Sequence, residues 1–175
     1  MTDSDTGLAV PNSRVRLKRW GELVGVGNNG DIVWKSDTVE TGPDGEFAID
    51  HAPDGTRYLY VQHADYAPFR TDIFSVAEGE TRGVAVTMNV GTNVRISVRR
   101  KVDGGPCPHA QVMLDQVPDF IARTETDAHG VAHLAHCAPG GYFIGAWAQD
   151  GAENGKWFEI AEGAPDCTVE LQIRP

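Results

Sequence analysis

Pro11-Asn12-Ser13-Arg14-Val15-Arg16-Leu17 and Pro108-His109-Ala110-Gln111-Val112-Met113-Leu114 share one pattern, P-x-[SA]-x-V-x-L, 97 positions apart. Five further pairs of blocks follow in the same order. Thr41-Gly42-Pro43-Asp44-Gly45-Glu46-Phe47-Ala48-Ile49 answers Thr126-Asp127-Ala128-His129-Gly130-Val131-Ala132-His133-Leu134. Ala52-Pro53-Asp54-Gly55 answers Ala138-Pro139-Gly140-Gly141, and Tyr58-Leu59-Tyr60-Val61 answers Tyr142-Phe143-Ile144-Gly145. Phe74-Ser75-Val76-Ala77-Glu78-Gly79 answers Phe158-Glu159-Ile160-Ala161-Glu162-Gly163, and Val84-Ala85-Val86-Thr87-Met88 answers Val169-Glu170-Leu171-Gln172-Ile173. Ordered matches of this kind are the mark of an internal repeat.

Within the blocks the apolar period is two. Val15 and Leu17, Phe47 and Ile49, Val84, Val86 and Met88, and Val169, Leu171 and Ile173 alternate with polar or small residues. That period predicts strands buried on one face. Asp44-Gly45 and His129-Gly130 stand where a turn needs positive φ, which glycine adopts without a Cβ clash. No amphipathic helix of useful length is present. The 20 glycines and 10 prolines are spread between apolar runs, as many short strands require. The expected fold is all-β: two tandem Ig-like or prealbumin-like antiparallel β-sandwiches, at residues 1–90 and 91–175.

The copies are unequal. From Leu17 to Thr41 the first spans 24 positions, and from Leu114 to Thr126 the second spans 12. The excess holds an Asn29-Gly30 turn between apolar pairs, which predicts an extra hairpin over residues 23–34. Upstream, the second copy opens with Val94-Arg95-Ile96-Ser97-Val98, while the first has only a short Asp-, Ser- and Thr-rich stretch. The first copy is therefore expected to lack its opening strand. An unpaired sheet edge is normally covered. Three covers are open: a strand from a longer chain, the extra hairpin, or a strand added by a partner.

These turn and core positions resemble the carboxypeptidase regulatory-like domain, a transthyretin-like sandwich. Its pattern runs D-x-x-G-x-P-x-x-x-A-x-V-x-L, then T-D-x-x-G-x-F-x-[IL], then L-x-P-G-x-Y. Asp5, Pro11, Ser13, Val15 and Leu17, then Thr41, Gly45, Phe47 and Ile49, then Pro53, Gly55 and Tyr58 carry it in the first copy. Asp103, Pro108, Ala110, Val112 and Leu114, then Thr126, Asp127, Gly130 and Leu134, then Pro139, Gly140 and Tyr142 carry it in the second. Gly42 and Ala132 depart from it. The resemblance implies a non-catalytic spacer, a protein-interaction module or a carbohydrate-binding module of a larger bacterial protein, and fold does not choose among them.

Net charge is −10, with one dense basic run at Arg95, Arg99, Arg100 and Lys101. Nucleic acid and anionic membranes are therefore poor partners. No stretch has the roughly 18 apolar residues that span a bilayer, and no signal peptide opens the chain. The compartment stays open: cell surface if the chain is a fragment of an exported protein, cytoplasm if it is complete. Cys107, Cys137 and Cys167 are an odd set, which does not specify a disulfide framework.

No catalytic, cofactor or metal site is expected. His129, His133, His136 and Cys137 cluster, but His133 and His136 differ by an odd number and fall on opposite faces of a strand. No pair of acids is singled out for glycoside hydrolysis, and no nucleophile has a recognisable base. The chain lacks the Tyr-Arg-Gly-Ser ending of hydroxyisourate hydrolases and the Arg-Pro-x-His segment of intradiol dioxygenases. An isopeptide bond of the collagen-adhesin B type needs an acid in the strand beginning at Tyr58 or Tyr142, and neither strand has one. The partner expected is a protein or a neighbouring domain. The alternative is a glycan stacked on exposed tryptophans, with Trp20 and Trp34 as weak ligand-binding candidates.

Overall fold

The computed structural model describes residues 1–19, 25–26, 32–33, 38–116 and 120–174. Sixteen strands and no helix occur among them. The chain divides into two compact units, Met1–Asn89 and Val90–Pro175.

Unit 2 is a two-sheet sandwich. Its strands are β10 (Thr92–Arg100), β11 (Gln111–Gln116), β12 (Phe120–Glu125), β13 (Val131–Cys137), β14 (Gly140–Trp147), β15 (Glu153–Ile160) and β16 (Cys167–Ile173). One sheet has the order β13-β10-β16, the other β12-β11-β14-β15. All pairings are antiparallel except β10 with β16, which run parallel from Val94↔Cys167 to Arg100↔Ile173. Alternate residues turn inward, as the period of two requires. Val94, Ile96, Val112, Leu114, Ile144, Val169 and Leu171 meet in one closed core around Tyr142.

Unit 1 has strands β1 (Thr2–Asp3), β2 (Arg14–Arg19), β3 (Gly25–Val26), β4 (Ile32–Val33), β5 (Thr38–Glu40), β6 (Gly55–His63), β7 (Tyr66–Arg70), β8 (Phe74–Val76) and β9 (Thr87–Met88). Its main sheet runs β5-β2-β6-β7, with β8 also pairing with β6. β3 and β4 pair antiparallel inside the inserted segment. The opposing layer is much reduced: β1 and β9 share two parallel residue pairs, Thr2↔Thr87 and Asp3↔Met88.

Three expectations change here. The opening segment of unit 1 does supply a strand, of two residues only. Phe47 and Ile49 turn toward the core, yet residues 46–49 form no ladder. In unit 2 the corresponding strand, β13, exists because nine-residue β10 pairs with it; β1 is too short to reach that far. The third change is a register. Leu17 pairs with Leu59, and Leu114 with Ile144. Gly55 and Gly140 both hold positive φ at the strand starts. Gly55 therefore corresponds to Gly140, and Tyr58 to Phe143 rather than Tyr142. A one-residue slip moves a side chain to the other face, so Tyr58 and Tyr60 point outward while Tyr142 points into the core.

Gly45 and Gly130 meet two demands. Both have positive φ (75° and 72°). A Cβ on Gly45 would come 2.3 Å from Met1 O, and one on Gly130 2.6 Å from Val98 O. The opening strand passes too close for any other residue.

Candidate functional site

The oriented polar side chains of both units are mostly bonded to their own turns. Buried Thr126 donates Oγ1 to Cys107 O at 2.7 Å and accepts from Ala110 N at 2.9 Å. Thr41 does the same with Val10 O and Ser13 N. Asp127 accepts from the amides of Val131 and His129, which hold its carboxyl below the usual range. Asp3 Oδ1 accepts from the Thr6 amide and hydroxyl, and its carboxyl is lowered to about 2 by those bonds and by Tyr66.

The histidines and cysteines separate. His109 Nδ1 lies 2.7 Å from Glu125 Oε1, on the sheet face away from the core. His136 turns its Nδ1 to Val90 O, and exposed His133 stands opposite Arg95. Cys107 and Cys137 are buried, and burial pushes the Cys137 thiol up to about 11. Such a thiol stays protonated and is a poor nucleophile or metal ligand at neutral pH. Among the described residues, no three His, Cys, Asp or Glu side chains converge.

Trp20 and Trp34 lie outside the described residues. The tryptophans that are described stand on the outer face of the four-stranded sheet of unit 2. Trp147 is 37% exposed and Trp157 67% exposed. Registers place them at opposite ends of one face. Glu125, Gln111, Trp147 and Glu153 form one row, and Asp115, Phe143 and Trp157 stand in another. Between the two rows, Gly145 and Gly155 pair without side chains. The Phe143 ring leans into that space, since a Cβ on Gly155 would come 2.4 Å from Phe143 Cζ. Trp157 then packs edge-on against Phe143, with ring centroids 5.5 Å apart. Beside Trp147, Gln111 Nε2 donates to Glu125 Oε2 at 2.8 Å. Hydrogen bonds from His109 and Gln111 hold the Glu125 carboxyl below the usual range. The result is an aromatic shelf next to a pre-oriented amide–carboxylate pair.

Sequence patterning overlooked this shelf because Tyr142-Phe143-Ile144-Gly145-Ala146-Trp147 is a continuous apolar run with no visible face. Lys156 pairs with Ile144 and so lies on the inward face of edge strand β15. A lysine there guards the β15 edge against strand addition.

In unit 1 the outward face carries Arg14, Arg16 and Lys18 on β2 opposite Gln62, Tyr60 and Tyr58 on β6. Lys18 Nζ sits 4.4 Å from the Tyr60 ring centroid, and Arg70 lies 5.8 Å from that of Tyr58. Lys18, Tyr58 and Tyr60 are buried although they face away from the core. Burial, and then the charge of Arg14, lowers the Arg16 pKa. An open depression of about 300 Å³ adjoins this face, lined by Asn12, Arg14, Glu40, Gln62, His63 and Ala64.

No family model matches the chain, and no curated protein does. Among solved structures, it is similar to the Bacillus anthracis TIE protein at 18% identity and a TM-score of 0.43. That match covers 99% of this chain and 32% of the other. A streptococcal ancillary pilin is 15% identical with a TM-score of 0.46, over 99% of this chain and 60% of the pilin. The 5-hydroxyisourate hydrolase of Klebsiella pneumoniae is 14% identical with a TM-score of 0.34, over 45% of this chain and 84% of the enzyme. The chain thus spans about a third and three fifths of the first two proteins. Likeness this distant assigns no function; the chain's own geometry has to supply one.

Proposed function

We propose that the chain is a non-catalytic structural or protein-interaction module. It consists of two copies of one prealbumin-like sandwich of the carboxypeptidase regulatory-like kind, within a larger bacterial protein or assembly. One observation carries the reading: the same polar positions are consumed by the same turns in both units. Thr41 and Thr126 each bridge a carbonyl and an amide across the first turn. Asn12 and His109 each hold positive φ and donate their amide to the following threonine carbonyl. A catalytic site needs oriented groups left over for a substrate; here the two buried threonines and the turn amides close the fold. Assay of the 175-residue chain against ester, amide and glycoside substrates tests this. Turnover that a single substitution abolishes would overturn it.

A glycan-binding reading is the alternative, and the shelf in unit 2 favours it. An exposed indole beside a fixed amide–carboxylate pair suits a pyranose, which offers one apolar face and equatorial hydroxyls. In that reading Trp147 and Trp157 join Trp20 and Trp34 as candidates. A glycan array comparing the native chain with Trp147→Ala, Trp157→Ala and Trp34→Ala tests it; no binding to any glycan ends it.

A further inference from the structure

The outward face of the four-stranded sheet in unit 2 is acidic as well as aromatic. Among the described residues, the registers put four carboxylates on it, those of Glu125, Asp115, Glu153 and Glu159, and one guanidinium, that of Arg123. Arg123 stands on β12, three strands across from β15, which carries Glu153. The acids around Trp147 differ in their engagements. Both oxygens of Glu125 are held, one by His109 and one by Gln111. Glu153 is exposed, and its carboxylate has no hydrogen bond or ion pair among the described residues. It stands directly across from Trp147 on the neighbouring strand. The Cβ atoms of such a pair are about 5 Å apart, so the carboxylate is within reach of a group resting on the indole.

The aromatic groups are spread along the strands. Trp147 and Phe143 are four positions apart on β14, and Trp157 pairs with Phe143 from β15. At about 3.3 Å per residue and about 4.8 Å per strand, the two indoles are rooted about 14 Å apart. Between them, paired Gly145 and Gly155 project no side chain, and the Phe143 ring edge reaches over both. The result is a flat strip. Flat sugar rings can lie along it, each with an apolar face on an aromatic one. The anchoring side chains of a protein partner would instead need well-packed, desolvated pockets to fill. A cation carried by a ring on Trp147 would meet the negative face of the indole and the free carboxylate of Glu153 together. An anionic sugar would meet the repulsion of four carboxylates.

We propose that the shelf of unit 2 binds an extended amino-sugar chain with free, protonated amines, its rings stacked on Trp147 and Trp157 and an ammonium group at Glu153. The inference rests on the glycan-binding reading of this shelf, and it adds the charge and the length of the ligand. The roles divide by residue. The two indoles supply stacking area, and a ligand must reach about 14 Å to use both. Glu125 and Gln111, fixed to one another, accept from and donate to ring hydroxyls beside Trp147. Glu153 supplies the charge that separates an amine-bearing sugar from a neutral one.

The test is isothermal titration calorimetry of the full 175-residue chain with tetrasaccharides of glucosamine, N-acetylglucosamine and glucose, which share one linkage and differ in a single ring substituent. At low salt the glucosamine chain should bind about tenfold more tightly than the other two. High salt should remove most of that advantage, because the ion pair is exposed. Glu153→Gln changes an exposed side chain without partners. It should bring the glucosamine chain to within about threefold of the glucose chain and leave the glucose chain's affinity unchanged. Trp147→Ala should weaken all three, and single glucosamine should bind at least about tenfold more weakly than its tetramer. Equal affinity for the three chains, unaltered by Glu153→Gln, overturns the amine and leaves the glycan reading intact. Binding of none of them overturns the inference, and a blank glycan array then removes the broader reading as well. Glucosamine binding that survives Trp147→Ala puts the ligand off the shelf and also overturns it. Acetylated tetralysine amide controls for charge. If it matches the glucosamine chain and depends equally on Trp147, the occupant is a basic peptide and the proposal fails.

Discussion

Tyr142 donates its hydroxyl to the carbonyl of Ala138, four residues earlier, at 2.7 Å. In the other unit Arg57 holds the corresponding place and donates Nε to Pro53 O at 3.2 Å. Two different side chains thus close the turn before β6 and the turn before β14. Tyr142→Phe should cost about 1 kcal/mol, the worth of one hydrogen bond. Tyr142→Ala should cost about 3–5 kcal/mol, because it also empties the centre of a closed core. Urea melts of the full chain, fitted for unit 2, check both.

The threonine bridge is a stronger constraint. Thr126→Val keeps the shape and leaves Cys107 O and Ala110 N without their partner, which should cost about 2–4 kcal/mol for two buried groups. Thr126→Ser keeps the hydroxyl and should cost less than half as much. A valine no worse than the serine in denaturant titration would remove the bridge from the account of the turn.

His51 and His136 both sit in left-handed backbone, at φ 56° and 55°. Such a conformation costs an L residue about 1–2 kcal/mol. His51→Gly should therefore raise the melting temperature, since the ring it removes is exposed to solvent. His136→Gly should gain less, because it gives up the 2.8 Å bond to Val90 O. Differential scanning calorimetry of the two variants separates strain from bonding.

Gly155 supports the aromatic shelf. Gly155→Ala should force the Phe143 ring off the sheet, as the new methyl would lie 2.4 Å from its Cζ and 3.0 Å from Ile144 O. The expected cost is about 1–3 kcal/mol. Trp157, which rests edge-on against that ring, should shift its fluorescence to the red.

Acid should loosen unit 1 at its opening turn. Asp3 is lowered to about 2 by the Thr6 hydroxyl and amide, from an ordinary value of 3.8. A depressed carboxylate stabilises the fold above its unfolded pKa, and that contribution disappears as pH falls through the folded value. Stability should therefore decline between about pH 4 and pH 2 in the native chain. Asp3→Asn should flatten that part of the profile. Chemical denaturation across the interval gives the slopes to compare.

Much of the fold is legible in the residues. Val15 and Leu17, Val112 and Leu114, and Val169, Leu171 and Ile173 announce their strands by strict alternation, and they are strands. Gly45 and Gly130 announce their turns. Two signals mislead. Ala52-Pro53 and Ala138-Pro139 look equivalent by identity, yet the β2–β6 and β11–β14 ladders place them one residue out of step. Letter matching has no access to the face a side chain takes. Phe47 and Ile49 alternate as a strand should, but a strand exists only when a neighbour pairs with it, and their pattern cannot report the neighbour's length. The shelf was hidden for a related reason: Phe143 and Trp147 face outward within an unbroken apolar run.

The parallel pairing of first and last strands sets how each unit carries load. β10 and β16 share seven residue pairs from Val94↔Cys167 to Arg100↔Ile173, whereas β1 and β9 share two. Tension on the ends of such strands shears all their pairs together instead of unzipping them singly. Pulled by its termini, the chain should lengthen in two events, unit 1 yielding at low force and unit 2 at high force.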